Sequence, residues 1–375
     1  MTVPDDFSSI TPDVRDLTAD PLFPIEFDDV EPLQSFSIEH WNVLYSHGVA
    51  PSPPLTLAPF PPQIHPESQL LEDLRRWGLY DGTKVDADLM FILDTLAGDY
   101  THAVSGTLTL PQRGHERTVE LQGNLASGGG TETMTMFEQP TYPFFMVKNY
   151  QDIVVTAIST EVGMTFNVSK MTAKNYAEQF ADELIVMIDP RGTWTPAPIK
   201  RMHVPSKLSM DMRVPQMFSE DKKTALQARK SIKSEYMIHD DTLQGWESLL
   251  GYTQLAMVSF TPQIRLKDDS LYAHTEGSGQ WILAKKDEHP PVSYVVWPEV
   301  DKNKNTTMGY APYSEDSLHA ALTFAFKTTA FIMRERGVDD VTNPWYLLRH
   351  GAERTVREGS TSEASYPWAP TPDTE

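Results

Sequence analysis

The sequence predicts an α+β fold in which two similar halves share one central antiparallel sheet. Three observations carry that prediction. A pair of β-rich runs at hairpin distance, FFMVKNYQDIVVTAIS at 144–159, returns in similar layout as QWILAKKDEHPPVSYVVWPEV at 280–300. In both places a further short strand and then a capped amphipathic helix follow. Each half alone would leave an open strand edge, a site of aggregation, and merging the halves removes it.

The elements follow in chain order. Residues 1–35 hold nine acids against one Arg and read as a disordered acidic arm. Phe36 to Val49 has the aromatic and β-branched content of a strand or short helix. Residues 50–66 contain seven prolines, which fix φ and lack the amide donor, so an extended strap is expected. Leu70, Leu71, Leu74 and Trp77 then recur at helical spacing up to Gly78. After the Asp81-Gly82 turn, Asp86 caps a second helix with Leu89, Ile92, Leu93 and Leu96 on one side and Gly98 as its stop.

Val104 to Leu110 reads as the first sheet strand. Residues 111–143 read as one long loop with a short strand at TVELQG; a connection of that length in a compact domain is functional or disordered. Phe144 to Lys148, Asp152 to Ser159 and Gly163 to Ser169 are three consecutive strands. Thr172 is the expected N-cap of the next helix, whose Tyr176, Phe180, Leu184 and Ile188 recur every four residues. Asp189-Pro190 ends it. Residues 205–260 look helical, over 222–237 and 242–258. The second half then runs Leu271 to Thr275, Trp281 to Lys285, Val292 to Val296 and Thr306 to Tyr310. Its closing helix is capped by Ser314, with Glu315 and Asp316 in the first turn, favourable to the helix dipole, and Arg334, Arg336 and Gly337 at its end. The pseudo-repeat halves are thus about 66–190 and 205–337 of a domain at 36–340, and 351–375 form a second disordered acidic tail.

Composition narrows the function. The chain has 375 residues, 40% of them hydrophobic and 10% aromatic, enough for a substantial core. Net charge is −21, of which −8 falls in residues 1–35 and −3 in 351–375. The remaining −10 argues against nucleic acid, whose phosphates need clustered Lys and Arg, and against an anionic membrane surface. No run approaches the roughly 20 apolar residues of a membrane span, and MTVPDDFSS lacks the apolar stretch of a signal peptide. There is no cysteine, which excludes disulfides, thiolate metal sites and thiol catalysis and suits a reducing cytoplasm.

Catalytic constellations are missing. There is no GxSxG elbow, no GxxxxGK[ST] loop and no HExxH. Ser127-Gly128-Gly129-Gly130-Thr131 lacks the lysine and following helix of a phosphate loop and reads as a flexible loop. His239-Asp240-Asp241 has no second histidine at ligand spacing, so a helix cap at Asp240 or Asp241 is expected instead of a metal site. No catalytic residue, metal or cofactor is assigned. A substantial core without chemistry favours a binding protein over an enzyme. A constitutive or self-associating scaffold, and a small-molecule binder or enzyme, are the alternatives.

Four stretches taken together resemble one family. They are SIEHWNVLYSHGVAPSPPLTLAPFPP, LLEDLRRWGLYDGTKVDADLMFILDTLAGDYTHAVSGTLTLP, FFMVKNYQDIVVTAIS, and SGQWILAKKDEHPPVSYVVWPEV with the helix from Ser314. In this order, over residues 36–336, they are similar to the EspG family of cytosolic chaperones that serve ESX (type VII) secretion in actinobacteria. The sequence departs from that family in its longer arm and tail, its long 111–143 segment and its Met, Lys and Asn content. The resemblance implies a single EspG-like domain with quasi-twofold halves and two flanking helical subdomains. It implies a non-enzymatic activity: holding the helical tip of PE–PPE-like or WXG100-like secretion substrates and keeping them soluble for export. It also implies binding through the loop at about 111–143 and the helical region at about 214–258. Within that loop Met134, Met136, Phe137 and Tyr142 are the expected partner contacts, because unbranched methionine and aromatic side chains repack against related but different apolar tips.

Overall fold

In the computed structural model the described residues are 36–58, 65–98, 100–109, 116–122, 131–137, 141–160, 163–189, 192–266, 271–286, 289–300 and 305–337. The expected arm at 1–35 and tail at 351–375 lie outside them.

The chain opens with three helices, α1 (Ile38–Ser46), α2 (Glu67–Arg76) and α3 (Ala87–Ala97). The Asp86 carboxylate accepts from the Asp88 and Leu89 amides at 3.0 and 3.1 Å, so the predicted cap starts α3. Strands β1 (His102–Thr109), β2 (Glu116–Gln122), β3 (Thr131–Phe137), β4 (Thr141–Lys148), β5 (Ile153–Thr160) and β6 (Gly163–Lys170) precede α4 (Tyr176–Ile188). The second half holds β7 (Met202–Pro205), α5 (Lys222–Tyr236), α6 (Asp240–Leu250), β8 (Thr253–Arg265), β9 (Leu271–Ala273), β10 (Gly279–Lys285), β11 (Val292–Val300), β12 (Thr306–Pro312) and α7 (Glu315–Glu335).

The main sheet has the order β6-β5-β4-β1-β8-β10-β11-β12-β7, with β9 paired to the end of β8. All of its paired strands are antiparallel. The two halves meet at β1 and β8, where Gly106 lies opposite Phe260. Outward from that seam the same sequence of elements recurs. On one side β1 is followed by β4, β5, β6 and α4; on the other, β8 is followed by β10, β11, β12 and α7. The predicted merger into one sheet about a quasi-twofold axis is therefore the fold observed.

Side-chain alternation divides the core between the two faces. On one face α4 and α7 lie together over both halves, burying Phe144, Phe180, Phe260, Trp297 and Phe326. On the other face α1 to α3 cover the first half through Trp41, Leu93, Phe145 and Val155. There α5 and α6 cover the second half through Ile232, Trp246, Ile282 and Val296. Each such large apolar side chain contributes about 1.5–3 kcal/mol by leaving water.

Close packing at the seam depends on missing side chains. Phe144, Gly106, Phe260 and Gly279 stand in one row across β4, β1, β8 and β10. A Cβ on Gly106 would fall 2.0 Å from the Ser259 carbonyl oxygen and 2.4 Å from the Phe144 ring; one on Gly279 would fall 2.4 Å from the Phe260 ring. The rings fill the room the glycines leave.

Four expectations need correction. The first strand of the second half is β8, with Leu271–Ala273 only a short addition at its end. The helix expected over 242–258 stops at Leu250, because Gly251 closes it and the apolar run after it enters the sheet as β8. The long segment expected as a loop with one short strand at TVELQG contains that strand as β2 and also β3, paired with it from Glu116 opposite Phe137 to Gln122 opposite Thr131. Two caps shift: Asn175 caps α4 by accepting from the Glu178 amide at 3.0 Å, and His239 precedes α6, whose first residues are Asp240 and Asp241. Ser314 caps α7 as expected, by accepting from the Ser317 amide at 3.1 Å.

Candidate partner-binding surface

The second-half helical subdomain begins after β7 and runs through α6. Two short 3-10 turns, Ser206–Met210 and Pro215–Phe218, lead into α5, whose N-cap Asp221 accepts from the Lys223 and Thr224 amides. Only one narrow stripe of α5 is apolar and buried: Ala225, Ala228 and Ile232. That stripe and Leu243, Trp246 and Leu249 of α6 seat the pair on the sheet.

A polar knot fastens the turns to α5. The Asp211 carboxylate accepts from the Arg213 amide at 2.8 Å, from Arg213 Nε at 2.9 Å, from Arg213 Nη2 at 2.5 Å and from the Tyr236 hydroxyl at 2.9 Å. Arg213 also meets Glu235 at 2.7 Å and donates to Ser231 Oγ at 2.8 Å. The Arg213 side chain, then its backbone amide, holds the Asp211 carboxyl well below the usual carboxylate range. The knot fixes the course of the chain on either side of Arg213, from which Met212 projects.

This subdomain exposes large apolar side chains. Among the described residues nine are strongly exposed, and five of them, Met212, Phe218, Leu226, Met237 and Leu250, lie between β7 and β8. Their concentration in one subdomain makes it the candidate interaction surface, whereas residues scattered singly over the chain would mean little. Met237 is the most unusual. It ends α5 in the left-handed region at φ 51° and ψ 38°, with its side chain 86% exposed. Glycine would make that cap without strain, and an L-residue there costs roughly 1 kcal/mol. The fold asks for no methionine at this position.

The β2–β3 ribbon supplies a second element. Strand pairing is interrupted between Thr109 opposite Thr141 and Glu116 opposite Phe137, so the ribbon continues the β1–β4 pair as a separate two-stranded sheet. Register places Arg117 opposite Met136 and Val119 opposite Met134. By alternation these four positions, together with Leu121, share one face of the ribbon. Phe137, opposite Glu116, belongs to the other face. The expected contacts thus separate: Met134 and Met136 stand together, Phe137 stands apart, and Tyr142 is on β4, 4% exposed in the main core. Tyr142 is a packing residue, because the chain has already rejoined the sheet at Thr141.

The ribbon and the helical subdomain meet the sheet at the same end. Thr109, where β1 ends and the ribbon's connection begins, lies opposite Met257. Met257 is four residues beyond Thr253, the first residue of β8, and β8 follows α6 directly. Exposed Leu250 therefore emerges at the end from which the ribbon extends. Sequence reasoning missed Met212, Phe218, Leu226, Met237 and Leu250. At least Leu226 was readable, because it falls off the Ala225–Ala228–Ile232 stripe.

Other polar clusters are structural. Buried Glu183 on α4 accepts from Ser169 Oγ at 2.5 Å and from Asn167 Nδ2 at 2.8 Å, tying α4 to β6. His319 on α7 meets Asp182 on α4 at 2.7 Å. Burial drives the His40 imidazole down to about 4, with His65 adding repulsion. Among the described residues no group of three or more His, Cys, Asp or Glu is placed to hold a metal ion, and no helix is long and apolar enough to cross a membrane.

No protein-family model matches the chain, and no curated protein matches it in sequence. Among solved structures it is similar to the Mycobacterium tuberculosis type VII secretion system chaperone EspG5, determined in complex with the PE25-PPE41 dimer. The two share 12% sequence identity and superpose with a TM-score of 0.50, over 78% of this chain and 95% of the other. At that identity the likeness speaks for architecture: the chain has an EspG-like fold.

Proposed function

We propose that this protein is a cytoplasmic chaperone that binds the helical tip of a PE–PPE-like secretion substrate and keeps it soluble for type VII export, acting by binding and not by catalysis. The reading is carried by one observation: five exposed apolar side chains gather on the helical subdomain of a fold shared with a chaperone that was solved with such a dimer.

The physical logic is direct. A long helical pair with an apolar end aggregates unless that end is covered. Covering it takes an apolar patch with a polar rim. Met212 and Met237 provide adaptable apolar surface, Phe218 and Leu226 provide less pliant contacts, and the exposed Lys and Asp residues of α5 and α6 provide the rim. In this reading the ribbon, which leaves the sheet at the end where β8 begins, adds Met134 and Met136 to the binding surface.

Deleting 116–137 and closing the gap with a short Gly/Ser linker tests the ribbon's part. The shortened protein should unfold cooperatively at nearly the wild-type midpoint, because the ribbon is outside the main sheet. Its affinity for the helical substrate pair should fall at least tenfold, a loss of about 1.4 kcal/mol. Undiminished affinity would remove the ribbon from the binding surface.

A further inference from the structure

The charge on α5 runs against that of the whole chain. Between Lys222 and Tyr236 the helix carries five basic residues and one acid, in a protein of net charge −21. Two of the five are engaged within the subdomain: Arg229 meets Glu247 at 2.9 Å and Lys233 meets Asp240 at 2.5 Å. Among the described residues Lys222, Lys223 and Lys230 make no ion pair, and all three are exposed. Positions 222, 226 and 230 follow one another at four-residue spacing, so Leu226, 53% exposed, stands between the lysines on one outward stripe. Phe218, 51% exposed, stands just before it. The stripe is basic and apolar at once, and nothing in the described structure covers it.

Residues 1–35 carry the opposite charge and the same mixture. They hold nine acids and one Arg. Residues 5–20 alone contain Asp5, Asp6, Asp13, Asp16 and Asp20, interspersed with Phe7, Ile10, Val14 and Leu17. Attachment geometry decides which part can arrive. Phe36 is tied to β6, since its carbonyl accepts from the Met164 amide at 2.6 Å. β6 is one border of the sheet and β7, on which the helical subdomain packs, is the other. Eight strand spacings of about 4.8 Å put some 38 Å between the borders. Residue 20 precedes Phe36 by sixteen positions and reaches about 53 Å in extended form, while residues within about ten positions of Phe36, among them Glu26, Asp28, Asp29 and Glu31, fall short.

We propose that residues 5–20 of this chain dock on the Phe218–Lys222–Lys223–Leu226–Lys230 stripe of α5, shielding its apolar members and neutralising its lysines until another ligand displaces them. The interaction is intramolecular, so its effective concentration is set by the tether and weak contacts suffice. The docked arm occupies part of the surface assigned above to secretion substrate, and its competition with substrate rests on that assignment.

The absence of cysteine makes a clean test available. A nitroxide on Ser9→Cys is the only label in the full-length chain, and amide signals of a deuterated sample report which residues it approaches. At low salt the signals of 222–230 should lose intensity relative to the reduced label. The loss should disappear in about 1 M salt, where the Debye length is about 3 Å. It should also disappear when Lys222, Lys223 and Lys230 are changed to Glu. Changing Asp5, Asp6, Asp13 and Asp16 to Lys in that variant should restore it, which a merely misfolded protein would not do. Unaffected signals at 222–230 at low salt, or a loss that survives the lysine substitutions, would overturn the proposal. The sample contains no substrate, so failure here leaves the chaperone reading standing, and failure of substrate to bind leaves the docking standing.

Discussion

Substituting Gly106 by Ala tests the seam between the two halves. Its Cβ would lie 2.0 Å from the Ser259 carbonyl oxygen and 2.4 and 2.6 Å from two atoms of the Phe144 ring. The ring could turn aside only at the expense of its place in the main core, where it is fully buried. The carbonyl belongs to β8 and can retreat only if β1 and β8 part. Overpacking by a single methyl ordinarily costs about 1–3 kcal/mol, and a backbone obstacle puts this case at or above the upper end. Gly251→Ala is the matched control: that residue follows α6 in ordinary helical geometry, and its Cβ would meet only the Ser248 carbonyl at 3.6 Å and the end of the Lys286 side chain. Urea unfolding of the three proteins decides. A loss of about 3 kcal/mol in Gly106→Ala with little change in Gly251→Ala supports the seam as described. A Gly106→Ala loss under about 0.5 kcal/mol, the range of ordinary surface changes, would refute it.

Two further predictions concern the supports around the sheet. Glu183→Ala removes the carboxylate to which Ser169 and Asn167 donate. Water can replace part of it at exposed Asn167 and half-buried Ser169, so the change should cost about 1 kcal/mol in chemical denaturation, with Glu183→Gln losing less; equal stability of both to wild type would show that the network carries no weight. His40 stays neutral when folded, with its pKa lowered from 6.5 to about 4, so the unfolded chain binds the extra proton between those values. Stability should therefore fall as pH drops from 6.5 toward 4, by an amount on the order of 3 kcal/mol from this group, and be insensitive to it above 6.5. Carboxylates titrate in the same window, so the check is comparative: His40→Asn should have a shallower stability–pH slope over that range, and an identical slope would contradict the assignment.

Much of the fold was legible because local signals agreed with tertiary ones. The β4–β5 and β10–β11 hairpins announced themselves as apolar β-branched runs about a short polar turn. Asp86 and Ser314 were readable as caps because each immediately precedes a helical apolar stripe. β8 was not legible, since TQLAMVSF is apolar without a period that separates helix from strand, and only Gly251 marked where α6 stops. β3 was lost for a different reason. It is polar on alternate positions, and its pairing depends on β2, the strand announced by TVELQG, across a glycine-rich connection, which no local pattern reveals. The site was the least legible part. Tyr142 looked exposed amid polar neighbours, yet the sheet resumes at Thr141 and buries it. Met237 was invisible as a site residue, because only its backbone conformation and exposure set it apart from a helix-ending methionine.

Co-purification with substrate is the most direct measurement of the central claim that the apolar surface of the helical subdomain and ribbon captures the helical end of a secreted protein. The full chain, co-expressed with a PE–PPE-like heterodimer from the same genome, should elute in size-exclusion chromatography as one species containing all three chains. Leu226→Glu, placed on a position 53% exposed and off the buried stripe of α5, should release the heterodimer without lowering the unfolding midpoint. Separate elution of the chain from every such heterodimer and WXG100-like pair of that genome, or a complex indifferent to Leu226→Glu together with Met237→Ser, would contradict the account.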